Sequence, residues 1–189
     1  MRIILEVLLA ILAVDFVSGL VHWIEDTFWT EETPIVGRWI VLPNSLHHRD
    51  GMAFLKNSWI RSSWDLSLLG LLILFTAKEC GVLGWPLWLF VFIGANANQI
   101  HKWAHTPRAA VPMPIRFLQR LHVLQSPAHH AMHHVRDKNS HYCVVTNMMN
   151  PVLDGTHFWR ALERLLVPIF GAPRREDLRL TSPSGQRSV

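Results

Sequence analysis

The stretch LSLLGLLILFTAKECGVLGWPLWLFVFIGANANQI, residues 66–100, decides how the rest of the chain is arranged. Residues 66–77 are an apolar run that reaches membrane length once Ser63 and Trp64 are placed at an interface. KECG at 78–81 breaks that run, and a second apolar run fills 82–100. A spanning helix needs about 20 apolar residues, so the stretch reads as a helical hairpin closed by a tight polar turn. Pro86 falls in the first turn of the returning helix, where no intrahelical donor is lost. A hairpin that crosses and returns leaves the segments before and after it on one side.

Toward the N-terminus, IILEVLLAILAVDFVSGLV at 3–21 also has spanning length, with Glu6 near one end and Asp15 inside. Arg2 before an apolar run would suit a signal peptide. No small-residue cleavage site follows, however, and a carboxylate is out of place in a disposable apolar segment, so a retained helix is expected. Three crossings then put 22–63 and everything after His101 on the same side. All twelve histidines fall there, with Arg38, Arg49, Lys56, Arg61, Lys102, Arg108, Arg116 and Arg120; only Arg2 and Lys78 stand opposite. Excess basic residues mark the cytoplasmic side, which predicts an extracytoplasmic N-terminus and a cytoplasmic histidine face. Cys80 and Cys143 are expected on opposite sides.

Composition agrees with a membrane class. Half of the residues are hydrophobic, 17% are charged and nine are tryptophan, well off a soluble average. The net charge of +4 is carried by scattered arginines, which suits a membrane-facing surface rather than a nucleic-acid stripe. No nucleic-acid partner is expected. Two separated cysteines without C-x-x-C indicate neither a disulfide framework nor a sulfur zinc site, and C-x-x-C-H for covalent haem is absent. Residues 112–125 and 157–170 have apolar stripes at helical spacing and read as helices in or under the interface. The expected fold is an all-α membrane protein: three transmembrane helices, with a fourth or re-entrant segment left open, under a cytoplasmic histidine-rich helical cap. One domain should cover 1–180, and the polar 181–189 should be a disordered tail.

The histidines form spaced groups: His22 with Asp26 at i+4, the pair His47 and His48, His101 with His105 at i+4, and His130, His133, His134 after His129. Positions i, i+3 and i+4 share a helical face, so each spaced group can aim side chains at one point. A lone histidine such as His22, His122 or His157 is more often a hydrogen-bonded interface residue; four groups on one face point to metal. About eight imidazoles and a carboxylate exceed one tetrahedral zinc and suit two first-row ions, a pair of irons above all. Neither H-E-x-x-H nor E-x-x-H occurs, which disfavours a zinc protease and a carboxylate di-iron bundle. A metal transporter should line its helices with histidine, and here they lie beyond the helix ends. A haem-binding electron-transfer subunit would leave the tandem pairs without a role.

With these residues assembled, the sequence resembles the Kua family of membrane lipid desaturases. The matching blocks are DFVSGLVHWIEDTFW at 15–29, the pair at 47 and 48, NQIHKWAH at 98–105, and LHVLQSPAHHAMHH running on to HYCVVTNMMNPVLD, 121–154. The third and fourth look closer to the family's plasmalogen-forming branch than to its plastid branch, which acts on a phosphatidylglycerol acyl chain. The resemblance implies metal ligation by His22, Asp26, His47, His48, His101, His105, His130, His133 and His134. It implies two iron ions, O₂ as co-substrate, and a membrane ether phospholipid whose sn-1 alkyl chain becomes a vinyl ether. Electrons would come from a donor such as cytochrome b5 or ferredoxin with its reductase. His129 matches only the plasmalogen branch, and His141 falls at a position where the family tolerates other residues; both are held as extra or supporting ligands. Asn98 and Asp50 are expected to accept from ligand imidazoles, Asn98 having helix–helix hydrogen bonding as the alternative. Asp15 either joins helices or lines the site.

Overall fold

The structure, a computed structural model, describes residues 1–135 and 139–171; the expected tail at 181–189 and the domain end at 180 lie outside them. The described residues form helices and turns and no strand. Helix α1 runs Arg2–Thr27, α2 Leu42–Arg49 after a π-helical turn at Gly37–Val41, α3 Gly51–Leu55 and α4 Trp59–Glu79. Then come α5 (Trp85–Ala95), α6 (Ala97–His105), a 3₁₀ turn at Arg108–Ala110, α7 (Met113–Arg120), α8 (Pro127–Val135), α9 (Met149–Gly155) and α10 (Phe158–Phe170).

Two of these helices, α1 and α4, are long and apolar enough to cross a membrane. They are not core helices of a soluble protein: on α4, Leu71, Leu72 and Phe75 are each at least 60% exposed, as are Ile3 and Ile4 on α1. Exposed apolar surface on this scale suits lipid contact. The expected hairpin forms between α4 and α5, where a Cβ at Gly70 would run into Val91. Its turn depends on Gly81, whose φ of +68° is open to glycine and lets Val82 N–H return to Ala77 O at 2.9 Å, closing the helix end.

The third expected span differs. Residues 82–100 do not make one helix: α5 ends at Ala95, eleven residues long, and α6 begins at Ala97. Asn96 causes the break. Its amide donates to Phe92 O at 2.8 Å and accepts from Trp59 Nε1 at 3.1 Å, a side chain competing with the helical ladder. The helix expected over 112–125 also stops early, at Arg120, because His122 turns left-handed (φ +59°) and Gln125 is drawn into the core.

The resemblance block around residue 142 has a structural explanation. Residues 142–146 run antiparallel along one stripe of α1. His22 Nδ1 meets Tyr142 O at 3.1 Å; a Cβ on Gly19 would strike Cys143; Ser18 Oγ accepts from Val144 N–H at 3.2 Å. Asp15 Oδ1 accepts from Val145 and Thr146 N–H, both at 3.0 Å, and Oδ2 accepts from the Thr146 hydroxyl. A fully buried carboxylate is tolerable because it satisfies backbone donors that would otherwise be orphaned. Asp15 therefore joins segments of the fold, and positions 15, 18, 19 and 22 are the helical spacing that this docking needs. Trp23, Phe28, Tyr142, Cys143, Leu153 and Trp159 pack a core beneath it.

Candidate metal centre

Helix α8 starts where SPAHH predicts: Ser126 Oγ accepts from His129 N–H at 3.3 Å, and Pro127 occupies the first helical position. This start sets the rotation of His130, His133 and His134. Successive helical residues are about 100° apart, so a tandem pair addresses two neighbouring points rather than one. Two of the tandem pairs, His47–His48 on α2 and His133–His134 on α8, are split accordingly.

One group gathers His47 from α2, His101 and His105 from α6, and His130 and His134 from α8. The other gathers His22 and Asp26 from α1, His48 from α2 and His133 from α8. Within each group the ligand atoms lie within 4.8 Å of one another. The groups touch: ring centroids are 4.4 Å apart for His47–His48 and 5.0 Å for His48–His134.

In the five-histidine group, His130 Nε2 stands 2.8 Å from His101 Nε2, 2.9 Å from His105 Nε2 and 2.9 Å from His134 Nε2. So many ring nitrogens cannot satisfy one another with the single N–H of each neutral imidazole. In the second group, Asp26 faces His48 Nε2 at 3.1 Å, His133 Nε2 at 3.3 Å and His22 Nε2 at 3.6 Å. His22 Nε2, His133 Nε2, Asp26 Oδ2 and, in the first group, His47 Nε2 are buried without a hydrogen-bond partner. Buried, converging and unsatisfied nitrogen and oxygen donors are what a cation would satisfy, and the nitrogen-rich set fits first-row ions such as iron. Burial first, and then neighbouring imidazoles, hold His47 and His130 well below the usual histidine range and His105 at about 4. These three rings are neutral at pH 7, with lone pairs available to metal.

The outward nitrogens are oriented by the backbone. His133 Nδ1 meets Ser140 O at 2.7 Å, and His22 Nδ1 meets Tyr142 O; an N–H donated there turns Nε2 inward. Asn44, which the sequence reading passed over, donates to Asp26 Oδ1 at 2.6 Å from one turn before His48. Gly51, also passed over, leaves room for the His105 ring, which a Cβ would meet at 2.7 Å. Asn44 was findable from its i+4 spacing to His48; Gly51 carried no such signal.

The four expected supporting residues stand elsewhere. His129 points away from both groups, its Nε2 at 3.2 Å from Asn150 Nδ2 and its ring 5.0 Å from that of His141. His141 Nδ1 lies 3.1 Å from Asp154 Oδ2. Asn98 donates to Ser62 O, the helix–helix alternative. Asp50 accepts from Met52 N–H at 2.9 Å and caps α3, so its carboxylate serves a helix start rather than an imidazole.

A cavity of about 650 Å³ opens beside these histidines. Val14, Val17, Val21 and His22 of α1, Leu69 and Ile73 of α4, and Phe90 and Val91 of α5 line it, and His47 and His101 reach it from the other group. The site thus has an apolar chamber running from the histidines between the long helices.

A family model described as the lipid desaturase domain matches residues 11–177. The chain is 36% identical over 181 residues to plasmanylethanolamine desaturase of Myxococcus xanthus, covering 91% of this chain and 63% of that protein. It is 35% identical over 190 residues to plasmanylethanolamine desaturase 1 of Mus musculus, covering 94% and 70%. Fatty acid desaturase 4, chloroplastic, of Arabidopsis thaliana is 31% identical over 155 residues, covering 79% and 47%. No solved structure matches. The chain belongs to the lipid desaturase family.

Proposed function

We propose that the chain is a di-iron, O₂-dependent desaturase that converts the sn-1 alkyl ether of a plasmanylethanolamine to the vinyl ether of a plasmalogen. The observation that carries this reading is the cavity: His22, His47 and His101 form its wall at one end, and apolar side chains form the other. His47, His101, His105, His130 and His134 would hold one iron, and His22, Asp26, His48 and His133 the other. Iron, when bound, supplies with O₂ the oxidising power needed to remove hydrogen from an unactivated methylene.

The chain's own residues do the rest. Along α1 the wall changes from Val14 to His22 over eight residues, about 12 Å of rise. A lipid tail filling the apolar part therefore brings its headgroup end, not its middle, to the histidines. That supports oxidation at the first two chain carbons. Val14, Val17, Ile73 and Phe90 would hold the tail and keep water from the reacting carbons. In balance, two hydrogens leave the chain, the donor supplies two electrons with two protons, and O₂ becomes two waters. The donor is of the cytochrome b5 or ferredoxin class. The basic residues beside the histidines support a cytoplasmic site and an extracytoplasmic N-terminus, and the exposed apolar edges of α7 and α10 support their lying at that interface.

The test is conversion of an alkyl ether phosphatidylethanolamine by membranes containing the chain, with O₂ and a reductase system. An acid-labile product bearing a 1,2 double bond is expected. A double bond placed only within an acyl chain would instead favour the activity that the Arabidopsis relative's name describes.

A further inference from the structure

The cavity carries four charged groups that the metal site does not use: Glu25 of α1, Asp65 and Arg61 of α4, and Arg38 of the turn before α2. Glu25 follows His22 by one helical turn on the stripe that lines the cavity, about 4.5 Å further from its apolar end. Asp65 lies two turns above Ile73 on the facing stripe of α4. Glu25 and Asp65 line the same cavity from facing helices. Both Glu25 and Asp65 are half-buried, and no ion pair joins either one to a cation among the described residues. Like charges withdrawn from water without a counter-ion are costly, so the space between them is complementary to a cation. Arg38 and Arg61 line the same cavity, exposed at its rim. Lys102, the other nearby cation, is committed elsewhere, its ammonium donating to Asn57 O at 2.8 Å and Ser58 O at 3.3 Å.

We infer that Glu25 and Asp65 form a subsite for a primary ammonium, and Arg38 and Arg61 one for the adjoining phosphate, so that together they select a zwitterionic phosphoethanolamine headgroup. This rests on the reading of the cavity as a lipid site. A primary ammonium has three N–H donors to share between two carboxylates, whereas a trimethylated one has none. A glycerol headgroup brings no positive charge at all. The subsite therefore ranks ethanolamine above choline and glycerol headgroups on the same chains.

Binding tests this without turnover. Trp39 and Trp64 line the cavity, so quenching of tryptophan fluorescence by lipids with brominated chains reports occupancy in detergent. For the purified chain, ethanolamine lipid should bind at least about tenfold more tightly than matched choline or glycerol lipids, a difference of about 1.4 kcal/mol. The pair Glu25→Gln and Asp65→Asn should erase that preference while leaving the glycerol lipid's affinity within about threefold. Asp65→Lys alone should reverse it toward the anionic glycerol lipid, an outcome that misfolding cannot imitate. In turnover assays the same changes should raise KM for the ethanolamine lipid more than they lower kcat. A double variant that keeps the wild-type preference would overturn the subsite, as would a wild type that binds all three lipids equally. Selective binding without desaturation of any lipid would instead count against the proposed reaction while leaving the subsite standing.

Discussion

At the scale of single residues, metal donors and the groups that support them are separable. Alanine at His133 or His134 removes one donor from one of two touching groups, and activity should fall to background while the chain still folds. His129→Ala should cost well under the roughly tenfold loss typical of a residue that positions a ligand, because His129 contacts Asn150 and His141 and neither donor group. Wild-type turnover in a His133→Ala chain would refute the site as drawn. Asp15→Ala is a different kind of change. It leaves Val145 and Thr146 N–H buried without an acceptor, a loss on the order of 3 kcal/mol, and should lower thermal stability in detergent; an unchanged melting temperature would contradict the docking described. The donor residues were legible because helical spacing is local: i+3 and i+4 can be read without knowing the fold. The division of the tandem pairs between two groups was not legible, since it depends on how α2 and α8 are rotated against α1 and α6. Glu25 and Asp65 escaped notice because a charge near a helix end reads as solvated until a cavity is seen between helices.

At the scale of elements, the hairpin was legible because KECG and Gly81 punctuate two apolar runs, and the histidine groups lie beyond its ends. Asn96 was not, since an asparagine between apolar residues gives no sign that its amide will turn back on Phe92. The docking of 142–146 on α1 was hidden for another reason. An extended segment paired with a helix 120 or more residues earlier has no period of its own, so only positions 15, 18, 19 and 22 carry the signal. Cys143 is buried against Gly19, so it is silent to thiol reagents from either side. Topology is better tested with Cys80, which is exposed, and with Met113→Cys, since Met113 is 74% exposed. Impermeant maleimide applied from outside should label Cys80 and spare a cysteine at 113. Labelling of both from outside would break the single-face arrangement of the site.

At the scale of the whole molecule, the helices converge on a centre where burial disfavours charge on His47, His101, His105 and His130. His105 and His129 are both lowered to about 4, chiefly by burial, against about 6.5 in an unfolded chain. Between those values the unfolded chain binds more protons than the folded one, so stability falls as pH drops from about 6.5 toward 4. The metal-free protein should melt at progressively lower temperature across that window, and a flat profile would contradict the buried, neutral cluster. The two donor groups, five histidines in one and three with Asp26 in the other, make the central claim a matter of stoichiometry. Metal analysis of active protein purified without chelators should give about two irons per chain and little zinc; full activity with stoichiometric zinc and no iron would contradict the di-iron account.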